Sequence, residues 1–176
     1  MGQSNKDYMI PFTGLKLGKH VFEFDVSDKF FEEFEYSIIQ SGNVHIVLTL
    51  EKKETMMIGE YELNGKVNTS CDRCNDPVEV EVNGSYRLIY KFDTVPSNDE
   101  TLIVLPPDAY ELDIRESILE FITVSLPARC VHNEGECNEE MISLLDEYSG
   151  GQDWEADEDD DDEDVDPRWE ALKKLK

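Results

Sequence analysis

Hydrophobic and polar residues alternate along much of the region from residue 8 to residue 92, which predicts a series of short β-strands. The clearest strand is Val44 to Leu50, where every second side chain is aliphatic and one face is expected to lie in a core. An Asn64-Gly65 pair interrupts a later strand and is typical of a bulge or a hairpin turn. The other predicted strands are Tyr8 to Phe12, His20 to Asp25, Met56 to Val67, Val78 to Val82, Tyr86 to Phe92 and Leu102 to Leu105. We predict an antiparallel, partly barrel-like sheet of hairpins, with one turn at Gly14 to Lys19.

Apolar residues at helical spacing predict helices that pack on this sheet. Asp113-Ile114-Arg115-Glu116 has the form of a capping box, and Pro127 ends the helix that follows it. The apolar face of that helix contains Ile114, Ile118 and Ile122. A second helix is expected from Glu139 to Tyr148, with Asn138 as its cap. A short amphipathic stretch is expected to plug the sheet with Phe30, Phe31 and Phe34. This combination of elements predicts an α+β fold.

The composition changes abruptly after Gly150-Gly151, which divides the chain into three parts. Residues 1–150 are predicted to form a single α+β domain. Residues 151–166 include a run from Asp153 to Asp166 with 11 acidic and no basic residues, and such a segment buries too little apolar surface to order itself, which predicts a disordered linker. Residues 167–176 have the signature of an amphipathic terminal helix with a basic last turn. Its apolar face is expected to bind a partner or its own domain, and consists of Trp169, Leu172 and Leu175.

The formal net charge of −25 at pH 7 restricts the kinds of partner. A surface of that sign repels phosphate backbones, so we expect a basic protein as partner, for which a lysine-rich basic ribosomal protein is a natural example, or only local contact with RNA. The basic side chains available for local contact are Arg73, Arg87 and Lys91. No apolar run reaches the roughly 20 residues of a membrane helix, and the polar first residues lack the apolar core of a secretory signal. We therefore expect a cytoplasmic protein with no membrane segment and no small-molecule substrate.

Cys71 and Cys74 lie in a turn between two predicted strands and are the strongest chemical signal in the chain. Two thiols three residues apart on such a turn place both sulfurs on one side of the loop, as a tetrahedral zinc site needs. Cys130 and Cys137 supply a second pair after the best helix. The fourth ligand is open, because His132 lies in the same segment and imidazole serves zinc as well as thiolate does. We predict a structural zinc site formed by Cys71, Cys74, Cys137 and either Cys130 or His132.

Other interpretations of the cysteines stay open at this point. A redox-active Cys-x-x-Cys pair normally begins a helix, whereas Asn75-Asp76-Pro77 leads into a strand. Disulfides would need an oxidising compartment, and four unrelated free thiols would serve as small hydrophobic residues. A zinc–thiol redox sensor is a further alternative. The enzymatic alternative is a metal-dependent nuclease or hydrolase, but the chain has no HExxH, P-loop or serine-nucleophile pattern, so we do not expect an enzyme.

Several motifs, taken together, resemble the YceD-like family of large ribosomal RNA subunit accumulation proteins. They are the Cys71-Asp72-Arg73-Cys74 turn followed by Pro77, the Asp113-Ile114 helix start, Leu126-Pro127 with Val131-His132, Cys137, and the ending Asp166-Pro167-Arg168-Trp169-Glu170-Ala171-Leu172. The resemblance extends over most of the chain. It implies a small cytoplasmic bacterial protein that is needed for normal accumulation of large-subunit ribosomal RNA and has no enzymatic activity.

Overall fold

Seven strands and three helices form the part of the chain that the structure, a computed structural model, describes: residues 8–95, 97, 99 and 101–149. In chain order they are β1 (Met9–Pro11), β2 (Gly18–Val26), α1 (Asp28–Phe31), β3 (Ser41–Lys52), β4 (Met56–Ser70), β5 (Pro77–Phe92), β6 (Leu102–Leu105), β7 (Glu111–Asp113), α2 (Arg115–Val124) and α3 (Glu139–Tyr148). The predicted α+β class is confirmed. The predicted acidic linker and the terminal helix with Trp169, Leu172 and Leu175 lie outside the described residues.

Five strands form one sheet in the order β2-β3-β4-β5-β6, and β1 pairs with β7 in a separate two-stranded sheet. The pairing is antiparallel except between β5 and β6. The predicted antiparallel sheet of hairpins is confirmed for β2 to β5, and β6 departs from it, because Leu102 at its start pairs in parallel with Ile89. The segment from Gly14 to Lys19 does not close a hairpin either, since β1 and β2 belong to different sheets. Closure of the large sheet into a barrel stays a prediction.

The Asn64-Gly65 pair is neither a bulge nor a hairpin turn, contrary to the prediction. β4 continues through it, and Gly65 pairs with Val44 on one side and Val82 on the other. A Cβ atom at position 65 would lie 2.6 Å from the Val44 Cα and closer still to the Asn43 carbonyl oxygen. Glycine is therefore required here because the backbones of β3 and β4 approach closely. Apart from bulges and bends, close backbone approach is the common reason for glycine inside a strand.

The helix α2 covers one face of the large sheet with the apolar side chains that its periodicity predicted. Ile114, Ile118 and Ile122 are fully buried. The Phe121 ring stacks on Tyr86 of β5, with ring centroids 4.6 Å apart. Phe30, Phe31 and Phe34 also behave as predicted, since the first two are buried and the third is partly buried against the same core.

The two longer helices begin close to their predicted positions. The N-cap residue of α2 is Ile114 rather than Asp113, the first residue of the predicted capping box. The Asp113 carboxylate still accepts a hydrogen bond from the Arg115 backbone N–H at 3.0 Å. α3 spans the predicted residues and belongs to a second compact unit that starts at Glu139. None of its side chains is buried. No helix among the described residues is long and apolar enough to cross a membrane.

A buried tyrosine pair links β4 to β5 and makes stability sensitive to alkaline pH. The Tyr61 and Tyr90 hydroxyls lie 2.5 Å apart, and burial raises the pKa of Tyr90 from 10.0 to about 12. Folding favours the neutral Tyr90 hydroxyl, so its contribution to stability is intact below pH ~10 and is lost as the pH rises through the folded pKa. At pH 11 the loss is about 1.4 kcal/mol. We expect Tyr90→Phe to cost about 1–2 kcal/mol at pH 7 and to reduce the loss at pH 11. Urea unfolding at both pH values tests this, and an unchanged pH dependence in the variant would contradict it.

Candidate metal centre

The β4–β5 hairpin ends in a turn that holds two buried thiols on one side. The backbone N–H of Cys71 donates to the Asp76 carbonyl at 2.8 Å, and the N–H of Asn75 donates to the Cys71 carbonyl at 2.9 Å. Asn75 has a φ of 62°, in the left-handed region that asparagine tolerates better than most residues. The backbone N–H of Arg73 donates to the Cys71 sulfur at 3.4 Å. The turn therefore closes by backbone hydrogen bonds and leaves Cys71 and Cys74 buried side by side.

Asp72 joins this turn to the segment that follows α2. Its backbone N–H donates to the Cys130 carbonyl at 2.7 Å, and its carboxylate accepts from the Cys130 backbone N–H at 2.7 Å. The Asn138 amide donates to the Asp76 carboxylate at 3.2 Å. These bonds fix both ends of the segment that carries His132 and Cys137. Asp72 was not among the site residues predicted from the sequence. Its position between the two cysteines of the turn is the only local feature of the sequence that could have indicated this role.

Four potential metal ligands meet where the turn and this segment come together. They are the thiols of Cys71, Cys74 and Cys137 and the imidazole of His132, and their ligand atoms all lie within 4.8 Å of one another. His132 Nδ1 lies 3.4 Å from the Cys74 sulfur and 3.9 Å from the Cys137 sulfur. In tetrahedral zinc sites the Zn–S bond of about 2.3 Å places sulfurs about 3.8 Å apart. These residues therefore fit a metal ion, and three thiolates with one imidazole is a ligand set typical of structural zinc.

The imidazole of His132 is held in the orientation that a metal ligand needs. Its Nε2 lies 3.0 Å from the Pro77 carbonyl oxygen, which can only accept, so Nε2–H is the donor. Nδ1 is then the nitrogen that faces the thiols. The Pro77 carbonyl also raises the pKa of His132. Metal-binding histidines usually donate their second ring N–H to a carbonyl or a carboxylate in this way.

The electrostatics of the thiols favour a cation among them. Burial opposes ionisation of Cys71, but hydrogen bonds from the backbone of Cys74, Arg73 and His132 and from the Cys74 thiol together outweigh it and lower the pKa of Cys71 to about 6. Burial raises the pKa of Cys137, so a bound metal would have to drive ionisation of that thiol. The Arg73 guanidinium lies 4.0 Å from the Cys137 sulfur. Its positive charge would offset part of the negative charge that three thiolates leave around a divalent ion.

Cys130 is the predicted candidate that does not join the four-ligand cluster. It is buried in a small apolar cluster with Cys71, Cys74 and Val78, and its thiol donates to the Pro127 carbonyl at 3.7 Å. Burial raises the pKa of Cys130 as it does that of Cys137, so position separates the two thiols: Cys130 is not among the four residues whose ligand atoms lie within 4.8 Å of one another. Of the two candidates left open for the fourth ligand, the structure therefore brings His132 to the other three and gives Cys130 a packing position.

The hydrogen-bonded clamp predicts that Asp72 affects metal binding without being a ligand. We expect Asp72→Ala to weaken binding about 10- to 100-fold, because the segment carrying His132 and Cys137 loses the bond from the Cys130 N–H to the Asp72 carboxylate, one of the bonds that hold it to the turn. Asp72→Asn is the matched control, since its amide oxygen can still accept the bond from the Cys130 N–H. Competition titration with a chelator of known affinity measures both variants. Equal metal affinity in Asp72→Ala and the wild type would contradict the prediction.

The basic side chains proposed for partner contact are spread along the hairpin. Arg73 is exposed in the turn, whereas Arg87 and Lys91 are exposed on the far half of β5. Lys91 pairs with Asp93 at 2.8 Å, and this exposed pair contributes little to stability. The role of these residues in binding stays a prediction.

Comparison with known proteins identifies the family. The profile of a family described as "Large ribosomal RNA subunit accumulation protein YceD" matches residues 59–176, about two thirds of the chain. The matched region begins within β4 and contains the turn and all four clustered ligands. Searches of curated proteins and of solved structures found no match. On the evidence of the profile match, this chain belongs to the YceD family.

Proposed function

We propose that this protein is a non-enzymatic ribosome-biogenesis factor of the cytoplasm that supports accumulation of large-subunit ribosomal RNA. The observation that carries the proposal is the family match, because it takes in both halves of the cysteine cluster and most of the β4–β5 hairpin. The family description names large-subunit ribosomal RNA accumulation. The protein would therefore act during assembly or processing of that subunit.

We further propose that the Cys71, Cys74, His132 and Cys137 cluster holds a structural zinc ion. Four protein ligands complete a tetrahedral shell and leave no position for a reacting water, as is typical of structural sites and not of catalytic ones. This arrangement supports a binding function rather than hydrolysis. The zinc would fasten the tip of the hairpin to the segment after α2 and so keep one end of the sheet rigid.

The charge of the chain favours a basic protein as the direct partner. At a net charge of −25 the protein repels RNA at long range and attracts a lysine-rich ribosomal protein. Lys66 and Lys91 already pair with Glu79 and Asp93, which reduces the positive charge available for RNA. Contact with RNA through Arg73, Arg87 and Lys91 is the second form of the proposal.

Depletion of the protein from its host cells tests the proposed function. We expect the ratio of mature large-subunit to small-subunit ribosomal RNA to fall, and to be restored by the wild-type chain. Incubation of the purified protein with precursor RNA is expected to give no cleavage. An unchanged ratio on depletion would contradict the proposed function, and cleavage that is lost with a single carboxylate replacement would favour a nuclease instead.

A further inference from the structure

A groove of about 390 Å³ lies between α2 and the loop that connects α1 to β3, and none of the four cysteines is among its lining residues. We call it the α2 groove, and its apolar and acidic lining residues are Tyr36, Ile38, Leu119, Val124, Glu116 and Glu120. Leu119 is buried beneath it, whereas Tyr36 is 70% exposed, Ile38 60% and Val124 70%. Large apolar side chains exposed together around a groove mark an interaction site more often than single exposed ones do.

The loop that forms one wall of the α2 groove is held in place. The Thr69 hydroxyl of β4 donates to the Ile38 carbonyl at 3.1 Å, and the Ile39 backbone N–H donates to the Ser37 hydroxyl at 3.1 Å. The Tyr36 ring packs edge-on against Phe34, with centroids 5.7 Å apart. A ligand would therefore not have to order this wall, which lowers the entropic cost of binding.

The charges around the groove specify the chemistry of its occupant. Glu116, Glu120 and Val124 recur every four residues and so form one stripe along α2. Both carboxylates line the groove, and no basic side chain is among the lining residues that the structure describes. RNA is disfavoured by this pair of carboxylates. A helix with apolar residues on one face and lysine or arginine beside them complements both the apolar walls and the acidic stripe.

We propose that the α2 groove binds a basic amphipathic helix of a protein partner. This inference rests on the protein-partner form of the proposed function and locates the contact. The aliphatic side chains of the helix would pack on Ile38, Leu119 and Val124, while its basic side chains would pair with Glu116 and Glu120. Tyr36 and Ile38 lie outside the residues that match the family profile, so this surface extends beyond the matched region.

A designed peptide tests the groove directly. The probe is a fluorescein-labelled 18-residue peptide of leucine and lysine with leucine at helical spacing, and its control is a scrambled peptide of the same composition. Fluorescence anisotropy measures binding of the labelled peptide to the full chain. Relative to the wild type, we expect roughly tenfold weaker binding, about 1.4 kcal/mol, for the double variants Ile38→Asn/Val124→Asn and Glu116→Gln/Glu120→Gln. The matched controls replace residues outside the groove lining, Leu17→Asn/Val21→Asn and Glu60→Gln/Glu62→Gln, and should bind as the wild type does. Equal binding of both peptides, or no effect of the groove variants, would overturn the proposal.

A second arm separates failure of the groove from failure of the proposed function. Purified large-subunit ribosomal proteins are tested for binding to the wild type and to Ile38→Asn/Val124→Asn, with circular dichroism confirming that the variant is folded. Binding that is reduced about tenfold in the groove variant supports both proposals. Binding that is equal in the two chains retains the partner but overturns the groove. If the peptide binds at the groove but no ribosomal protein binds the chain, the groove proposal is retained and the proposed partner is contradicted. If the wild type forms a dimer that the groove variant does not form, the groove binds a second copy of this chain, and the proposal is overturned.

Discussion

Replacing Cys71 by serine is expected to reduce bound zinc from about one ion per chain to almost none and to lower the free energy of unfolding by about 4 kcal/mol. A hydroxyl is a poor ligand for zinc compared with a thiolate, so three ligands would remain. A bound metal would join Cys74 to His132, which are 58 residues apart. Closing a loop of that length restricts the unfolded chain by about 4 kcal/mol in the chain-entropy treatment of cross-links. Elemental analysis and urea unfolding measure the two effects.

Cys130→Ser is the matched control for this prediction. It changes a thiol in the same apolar cluster but outside the four-ligand group, so we expect zinc to stay near one per chain. A chelator should lower the stability of the wild type and of Cys130→Ser, and leave that of Cys71→Ser unchanged. Retention of zinc by Cys71→Ser, or loss of zinc from Cys130→Ser, would show that the ligand set is different.

Gly65→Ala is expected to destabilise the fold by about 3 kcal/mol, an unusually large effect for one methyl group. The added Cβ would collide with the Asn43 carbonyl oxygen and the Val44 Cα, and both atoms belong to backbone that cannot rotate away. The β3–β4 pairing would have to separate locally. Urea unfolding measures the cost, which should be the same with the metal bound and after chelation, because Gly65 lies six residues before Cys71, about 20 Å along an extended strand.

Gly14→Ala provides the comparison for Gly65→Ala. A Cβ at position 14 would meet no atom within 4 Å, so the change should alter stability by less than about 0.5 kcal/mol. Similar stabilities for the two alanine variants would mean that β3 and β4 do not approach as closely as they do in this structure.

The parts of the fold that depend on local pattern could be predicted from the sequence. Alternation identified β3, and the isoleucines of α2 were expected on a buried face because a helix returns to the same side about every 3.6 residues. Alternation also continues through Asn64-Gly65, with Leu63 and Val67 both buried. The unbroken alternation indicated a continuous strand correctly, whereas the preference of an Asn-Gly pair for turns indicated a bulge or a hairpin turn.

The parts that depend on distant contacts could not be predicted. Four apolar residues in β6 carry no information about strand direction, so the parallel pairing with β5 had no local signal. The choice between Cys130 and His132 depends on which way each side chain points. That direction is set by the hydrogen bonds of the intervening segment to Asp72 and Asp76, which lie about 60 positions earlier in the chain. The sequence named the turn thiols and Cys137 as candidate ligands, but it did not decide which of Cys130 and His132 joins them.

X-ray absorption at the zinc edge of the purified protein tests most directly whether Cys71, Cys74, Cys137 and His132 together bind one zinc ion. We predict one zinc per chain surrounded by three sulfurs at about 2.3 Å and one nitrogen at about 2.0–2.1 Å. A shell of four sulfurs would place Cys130 in the site instead of His132. A protein purified without chelator that contains no zinc would contradict the proposed metal centre.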